Sequence, residues 1–545
     1  MLCTARRLGG IALLPLLLAG CQAVAPAAPG SAPWVADLGD GRYRNPVLHA
    51  DYSDPDAIRV GDIYYMTSSS FNSAPGLPLL TSTDMVNWEL AGHALPSLVP
   101  PERFAAARHG EGVWAPCLRY HDGKFWIFYP DPDHGIFVTT AKDFSGPWSE
   151  PKLLLPGKGM IDPTPLWDDD GKAWLLHAWA KSRAGFNNVL TLRSMAPDAS
   201  RLLDDKGRIL IDGNAIPNYR TLEGPKFYKA NGYYYVFAPA GGVEHGWQAV
   251  FRSRTVDGPY EVRTVMDQGN TDTNGPHQGA WVRAQDGRDW FLHFQDRGAY
   301  GRVVHLQPMR WLDGWPLIGE PGSRAGTGQP VAAHAKPVTG APVRVPATSD
   351  EFDAPDLGLQ WQWNANPGAR WHSLSERPGR LRLHTQPMGP DAGVRGAPSI
   401  LAQKLPAPSF AVDTHIELVG AREGDRAGLI LNGMQYAWLG LRQRGGATEL
   451  VYTTCTPAPG PCTENPTVVL PAAPAALYLR MTMAPGAVAS FAYSLDNRQF
   501  TPVGTPFTAG KGRWVGAQIG LFSVGTNPGS TASKLDVDYF RASAR

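Results

Sequence analysis

From about residue 45 to residue 320 the apolar positions fall in short blocks, and a glycine opens each of five of them. The blocks are Gly61-Asp-Ile-Tyr-Tyr-Met-Thr, Gly123-Lys-Phe-Trp-Ile-Phe-Tyr, Gly171-Lys-Ala-Trp-Leu-Leu-His, Gly232-Tyr-Tyr-Tyr-Val-Phe-Ala and Gly287-Arg-Asp-Trp-Phe-Leu-His, at spacings of 62, 48, 61 and 55 residues. Turns such as His121-Asp122-Gly123 and Asp169-Asp170-Gly171 precede them, and Asp-Gly suits a tight hairpin. Further turns before an aromatic residue recur at Ser82–Trp88, Ala141–Trp148 and Ser253–Tyr260. Units of this length, each holding about four short strands, predict the blades of a five-bladed β-propeller over residues 44–320. A β-sandwich with chance self-similarity is the competing fold.

Beyond residue 347 the pattern changes to strict alternation, as in Arg380–His384, Ala411–Leu418, Gly428–Leu431 and Ala437–Leu441. Period-two patterning over residues 348–545 predicts an antiparallel β-sandwich. The stretch between, residues 321–347, is rich in Gly, Ala, Pro and Val with few aromatics and is expected to be a linker. The fold class is therefore all-β, a propeller followed by a sandwich.

Composition agrees. Gly (60) and Pro (50) make about a fifth of the 545 residues, which disfavours long helices. With 43% hydrophobic residues and 18 Trp there is ample material for large cores, which excludes global disorder. The net charge of +1, without a basic run, gives no footprint for nucleic acid. A neutral partner such as a carbohydrate fits better.

Residues 1–20 read as an export signal, with Arg6 and Arg7 ahead of the apolar run Ile11 to Leu18. Leu18-Ala19-Gly20-Cys21 resembles the lipobox of bacterial lipoproteins, in which the cysteine is acylated and becomes the mature N-terminus. An ordinary cleaved signal with an incidental cysteine is the alternative. Gln22 fits outer-membrane sorting, so the expected location is the periplasm or cell envelope. Residues 21–43 would be a tether, with the lipid as the sole membrane contact. Cys455 and Cys462 flank Thr-Pro-Ala-Pro-Gly-Pro and are expected to pair as a disulfide. Cys117, in an apolar stretch, is expected to be a buried small hydrophobe rather than a nucleophile.

In a propeller the innermost strand of each blade lines the axis and precedes the hairpin glycine. Those places hold Asp54, Trp114, Asp162, Glu223 and His277. Three carboxylates at equivalent repeat positions admit two chemistries. They could ligate a hard cation through oxygen, or they could act as acid and base on a glycosidic bond. Glu223 has the longest reach of the three and suits a general acid. To serve near neutral pH its pKa must rise from ~4.3 to ~6–7, which neighbouring carboxylates favour by repulsion.

Taken in order, Asn45-Pro-Val, Ser53-Asp-Pro-Asp-Ala-Ile-Arg-Val-Gly61, Trp114-Ala-Pro, Ile161-Asp-Pro, Thr221-Leu-Glu-Gly-Pro225 and Asn274-Gly-Pro-His-Gln-Gly279 resemble glycoside hydrolase family 43. The resemblance implies an inverting mechanism on a five-bladed propeller. It makes Asp54 the general base, Glu223 the general acid and Asp162 the residue that orients the acid and raises its pKa. It also implies Phe71 and Trp114 as pocket walls and Arg297 as an arginine near the sugar hydroxyls. His277 would orient a channel water or help hold a calcium ion. Otherwise it is a packed polar residue. No cofactor is needed for the chemistry. Phe352-Asp and Leu359-Gln-Trp-Gln-Trp-Asn364 resemble the concanavalin-like sandwich of the xylosidase branch, which narrows the pocket mouth, against the alternative of a freely tethered glycan-binding module. Asp350 and Asp536 could help hold a structural calcium, but are more readily read as surface acids.

The implied activity is an exo-β-1,4-xylosidase acting on xylo-oligosaccharides. An α-L-arabinofuranosidase is the nearest alternative, and a non-catalytic sugar-binding lipoprotein is the reading from another class.

Overall fold

The computed structural model describes residues 32–388, 393–456, 462–526 and 532–545. The expected signal at 1–20 and the lipidation site Cys21 lie outside the described residues. Among the described residues no helix is long and apolar enough to cross a membrane.

Five four-stranded antiparallel meanders make up the first part of the chain, one of them extended to six strands. Their first strands are Asp56–Val60, Cys117–His121, Met160–Trp167, Lys226–Ala230 and His277–Arg283, and these pack in sequence around one axis. The five glycine-led segments are the second strands, and the glycines sit in the turns before them with φ of 61°, 71°, 80°, 73° and 83°. A Cβ at four of the five would meet nothing within 4 Å, and at Gly232 only the flexible end of Arg254 at 3.2 Å, so the left-handed backbone and not crowding selects glycine there.

The apolar runs continue through consecutive positions because a blade is buried on both faces. Ile127 packs toward the first blade and Phe128 toward the third. Leu175 and Leu176 divide in the same way, as do Val236 and Phe237 in the fourth blade. Phe291 faces the fourth blade and Leu292 the first, which closes the ring of inter-blade cores.

Closure is also made by main chain. Arg42–Arg44 pairs antiparallel with Ala333–Ala335, Leu48 bridges Val304, and the Asn45 amide donates to the carbonyls of Leu306 and Val331 at 2.8 Å each. The segment expected as a linker is thus sewn to the propeller over its first half. Glu320–Pro321 and Gly328–Gln329 extend the fourth blade's sheet before the chain reaches residues 333–335. A Gly/Pro-rich composition reports few side-chain contacts, and here the attachment runs through backbone pairing.

The second domain is a sandwich of two mixed-order sheets. Phe410–Val419 alternates buried and half-buried positions along all ten residues, as period-two patterning requires. Leu418, Leu429, Leu439, Leu479 and Phe540 belong to the core between the sheets. Cys455 and Cys462 form the expected disulfide. Asp350 accepts hydrogen bonds from Phe352 N, Gly358 N and Trp361 Nε1, while buried Asp536 is held by Arg377 and Arg382 at 2.6–2.8 Å. Both carboxylates are engaged by protein donors and Asp536 is fully buried, so neither is a free surface acid.

The sandwich is docked on the propeller rather than tethered freely. Ala74 and Trp363 exchange backbone hydrogen bonds, and the Asn366 side chain bonds Leu98 N and O at 2.7 and 2.9 Å. The Tyr300 hydroxyl donates to Pro408 O and accepts from Ala487 N.

One buried cation pins the strap that joins the domains. Lys336 Nζ lies 2.5 Å from Asp37 Oδ2 and 2.9 Å from Asp84 Oδ2. Removing the shared partner of two buried carboxylates strands both charges. Lys336→Met is expected to destabilise the folded protein by about 3–5 kcal/mol, read as a lower midpoint in urea denaturation. An unchanged midpoint would show that the strap is not held by this triad.

Candidate active site

Asp54, Trp114, Asp162, Glu223 and His277 all stand at or just before the start of an inner strand, where the chain enters the axis. The backbone is bent to place them. Asp54 has φ 53° and Asp162 φ 55°, with the strand pairing interrupted between Ile161 and Thr164, and Gln278 after His277 has φ 39°. Non-glycine residues in the left-handed region are uncommon, and Asp tolerates it better than most. Such positions persist only where the surroundings over-determine them.

Asp54, Asp162 and Glu223 line one cavity of about 360 Å³. Phe71, Trp114, Ile161, Trp179, Gln278 and Arg302 complete its floor and walls. Phe71 and Trp114 face each other with ring centroids 6.0 Å apart, in the place expected of pocket walls. Apolar faces with a few convergent polar groups are what a sugar site needs.

The three carboxylates have different environments. Asp54 is buried and ion-paired through both oxygens to Arg302 Nη1, at 2.9 and 3.1 Å, and accepts from Ser69 Oγ at 2.6 Å. Asp162 accepts from Gly224 N at 2.7 Å, the amide directly after Glu223. Burial and the neighbouring Glu223 charge push the Asp162 carboxyl up to about 8, with Asp54 adding to the rise and Lys226 opposing it. Glu223 Oε1 lies 3.1 Å from His277 Nε2, and its side chain is 22% exposed to the cavity. Asp162 and Glu223 therefore cannot both ionise cheaply at neutral pH, and one proton belongs to the pair.

His277 is buried, and its Nδ1 has no protein partner. That orphaned nitrogen fits a bound water. It does not by itself fit calcium, which takes about six to eight oxygens. Among the described residues no group of three or more His, Cys, Asp or Glu side chains converges as a metal would require.

Arg297 is a correction. It is exposed on the turn after the second strand of the fifth blade, and Arg302, five residues on, is the arginine in the cavity. The resemblance pointed to Gln295-Asp-Arg297-Gly, but a 3-10 turn at Gly298–Tyr300 reverses the chain and the next strand brings Arg302 to the axis. Nothing in the alternation of Arg302–Leu312 distinguished it. Cys117 is buried beside Thr164 as expected, and burial pushes its thiol up to about 11, which leaves no reactive thiolate.

One wall comes from the other domain. Trp514, from the loop of the sandwich around residues 510–517, lines the same cavity and meets Trp114 edge-on at 5.8 Å. The sandwich therefore shapes the pocket mouth.

With this geometry established, similarity to known proteins is specific. Residues 43–316 match the family model described as glycosyl hydrolases family 43, and residues 349–543 match the beta xylosidase C-terminal concanavalin A-like domain. A putative beta-xylosidase of Xylanibacter ruminicola is 37% identical, with 89% of this chain and 87% of that protein covered. A non-reducing end alpha-L-arabinofuranosidase of Bacteroides ovatus is 30% identical, over 73% of this chain and 75% of that protein. The crystal structure of xylan beta-1,4-xylosidase from Bacillus halodurans superposes with a TM-score of 0.77 at 25% identity, covering 92% of this chain and 99% of that one. These matches span both domains. The chain is a glycosidase and belongs to glycosyl hydrolase family 43.

Proposed function

We propose that the protein is an inverting, exo-acting β-1,4-xylosidase that removes xylose from the non-reducing ends of xylo-oligosaccharides. The observation that carries this reading is a three-carboxylate pocket closed on one side by Trp514 of the sandwich. A pocket walled at its mouth favours the end of a chain over its interior. The xylose assignment is supported by the relatives named beta-xylosidase, which match over about nine-tenths of both lengths.

The roles follow from the environments. Asp54, held against Arg302, is the base: it takes a proton from a water, which attacks the anomeric carbon. As that bond forms, the bond to the leaving oxygen breaks, and Glu223 gives that oxygen a proton. One displacement inverts the anomeric configuration. Asp162 supplies the negative charge that keeps the proton on the pair, and its hydrogen bond to Gly224 N fixes the acid's backbone. Phe71 and Trp114 pack on the sugar faces. A calcium ion reached through water from His277 has no further support in the donor set. Export and acylation at Cys21 would place the enzyme in the cell envelope, facing oligosaccharides outside the cytoplasm. Trp514 also bears on the second reading, α-L-arabinofuranosidase, because an end-on pocket accepts a terminal arabinofuranose as well, and a relative at 30% identity carries that name.

Product analysis decides the sugar. Aryl β-xyloside and xylobiose are expected to turn over faster than aryl α-arabinofuranoside, with α-xylose as the first product by NMR. The reverse ranking establishes the second reading, and β-xylose would refute inversion. Glu223→Gln should lose about a hundredfold or more on xylobiose, and undiminished turnover would remove Glu223 as the acid.

The pH profile tests the shared proton. A carboxyl raised to about 8 in the free protein is protonated below that value and loses its proton above it, so kcat/KM should fall on the alkaline side with a midpoint near 8. Asp162→Asn removes the repelling charge, so the remaining activity should lose its proton earlier, moving the alkaline limb to lower pH. A limb that stays in place would separate Asp162 from the titration.

A further inference from the structure

Asp51 lies three residues before the base, at the seam between the domains, and it is 7% exposed. Its carboxylate accepts three hydrogen bonds. Oδ1 takes Ser53 Oγ at 2.7 Å and Arg302 N at 2.9 Å, while Oδ2 takes Gly516 N, from the sandwich, at 2.7 Å. The fit leaves no slack. A Cβ on Gly301 would come within 2.3 Å of Asp51 Cγ, and one on Gly516 within 2.6 Å of Gly301 N. The adjacent Ala517 N donates to Ala299 O at 2.7 Å, so the loop that carries Trp514 lies backbone-to-backbone on the turn that carries Arg302.

We infer that Asp51 is a positioning residue that couples docking of the sandwich to the orientation of Arg302 against Asp54. One carboxylate holds the Arg302 main chain on one side and the Trp514 loop on the other, so the pocket wall and the base's counter-ion are set together. If the loop withdraws, Oδ2 loses its donor in a buried setting, which a carboxylate tolerates poorly. Lys404 of the sandwich, half-buried and over the Tyr52 ring, is the other cation near Asp51. Asp51 does not line the cavity, so it acts through Arg302 and not on substrate. The link rests on the reading of Asp54 as base. Asp54 faces Arg302 and Ser69 by contact and the charges of Asp162 and Glu223 across the cavity.

The experiment uses the full chain with Asp51→Asn, a near-isosteric change whose amide cannot accept from both Arg302 and Gly516. Removing a negative charge would by itself make the base harder to protonate and move the acidic limb of kcat/KM to lower pH. Loss of the guanidinium's grip does the opposite. The expected result is a fall in kcat/KM of about tenfold or more, carried by kcat, with the acidic limb moved to higher pH. Hydrogen–deuterium exchange should speed up together at residues 298–303 and 511–517. Asn366→Ala, which removes a different interdomain tie, should leave the limb in place. Should Asp51→Asn not fold, Gly516→Ala breaks the same link from the sandwich side and should move the limb in the same direction. An acidic limb that stays or moves down, exchange that rises in only one segment, or an Asn366→Ala profile matching Asp51→Asn would each overturn the inference. If wild type cleaved no pentoside the reading of function would fail instead, and the paired exchange response would still decide the link.

Discussion

Repulsion among carboxylates crowded at the propeller axis is the constraint on which the rest of this structure depends. Asp54, Asp162 and Glu223 share one cavity, and left alone they would push apart or take up protons. The fold resists the first outcome covalently. Inner strands from three blades deliver the three side chains, and the left-handed backbone at Asp54 and Asp162 aims them inward. Each inner strand is held by the inter-blade cores on its flanks, so large aromatic packing far from the pocket maintains a charge arrangement that is locally unfavourable. The apolar runs of the second strands and the catalytic chemistry are two ends of one mechanical argument.

The second domain enters the same argument through position. A propeller alone presents its axis as an open face. Here the sandwich docks through backbone exchange at Ala74 and Trp363 and through Tyr300, and it lays the 510–517 loop over the rim. Trp514 has φ 67° and stays 39% exposed, an arrangement suited to a side chain that faces a ligand rather than a core. Its partner Trp114 is braced in turn by Arg183, whose guanidinium lies 5.6 Å from the Trp114 ring and pairs with Asp133. Two domains and two blades thus converge on one aromatic corner.

The sequence was most legible where a physical requirement repeats. Five hairpins need a left-handed residue before an apolar strand, so five glycines and their blocks stood out, and the blades followed. The positions of Asp54, Asp162 and Glu223 were legible because equivalent places in a repeat share a direction, and His277 joined them for the same reason. Arg302 and Trp514 were not legible. The first opens a strand whose sequence gives no sign of it, and it becomes axial because a short 3-10 turn precedes it. The second lies in another domain, some 290 residues from Glu223, and nothing local to Gly512–Gly516 encodes the surface it meets. The strap was misread because backbone pairing at Gly328–Gln329 and Ala333–Ala335 leaves no side-chain pattern. Asp350 and Asp536 looked like free acids because their donors lie far away in sequence or arise from loop closure.

Charge balance gives the crowded axis its chemical direction. Beneath the pocket Asp56 is buried and accepts from Leu118 N and Arg119, with Lys226 Nζ at 3.4 Å, and that ammonium also donates to Pro116 O at 2.8 Å. Counted with the pocket, four carboxylates (Asp54, Asp56, Asp162 and Glu223) face three buried or half-buried cations (Arg119, Lys226 and Arg302). In a medium of low dielectric an uncompensated charge is costly, and the cheapest remedy for a surplus anion is a proton. The cations are unequally placed. Arg302 contacts Asp54 through both oxygens, and Arg119 and Lys226 are occupied with Asp56, so Asp162 and Glu223 are left with the deficit. The proton that neutrality demands therefore belongs to that pair, where the Asp162 carboxyl is pushed up. The proposed single displacement needs a proton on the acid's side of the pocket and none shared with the base, and the positions of three buried cations supply a physical basis for that division.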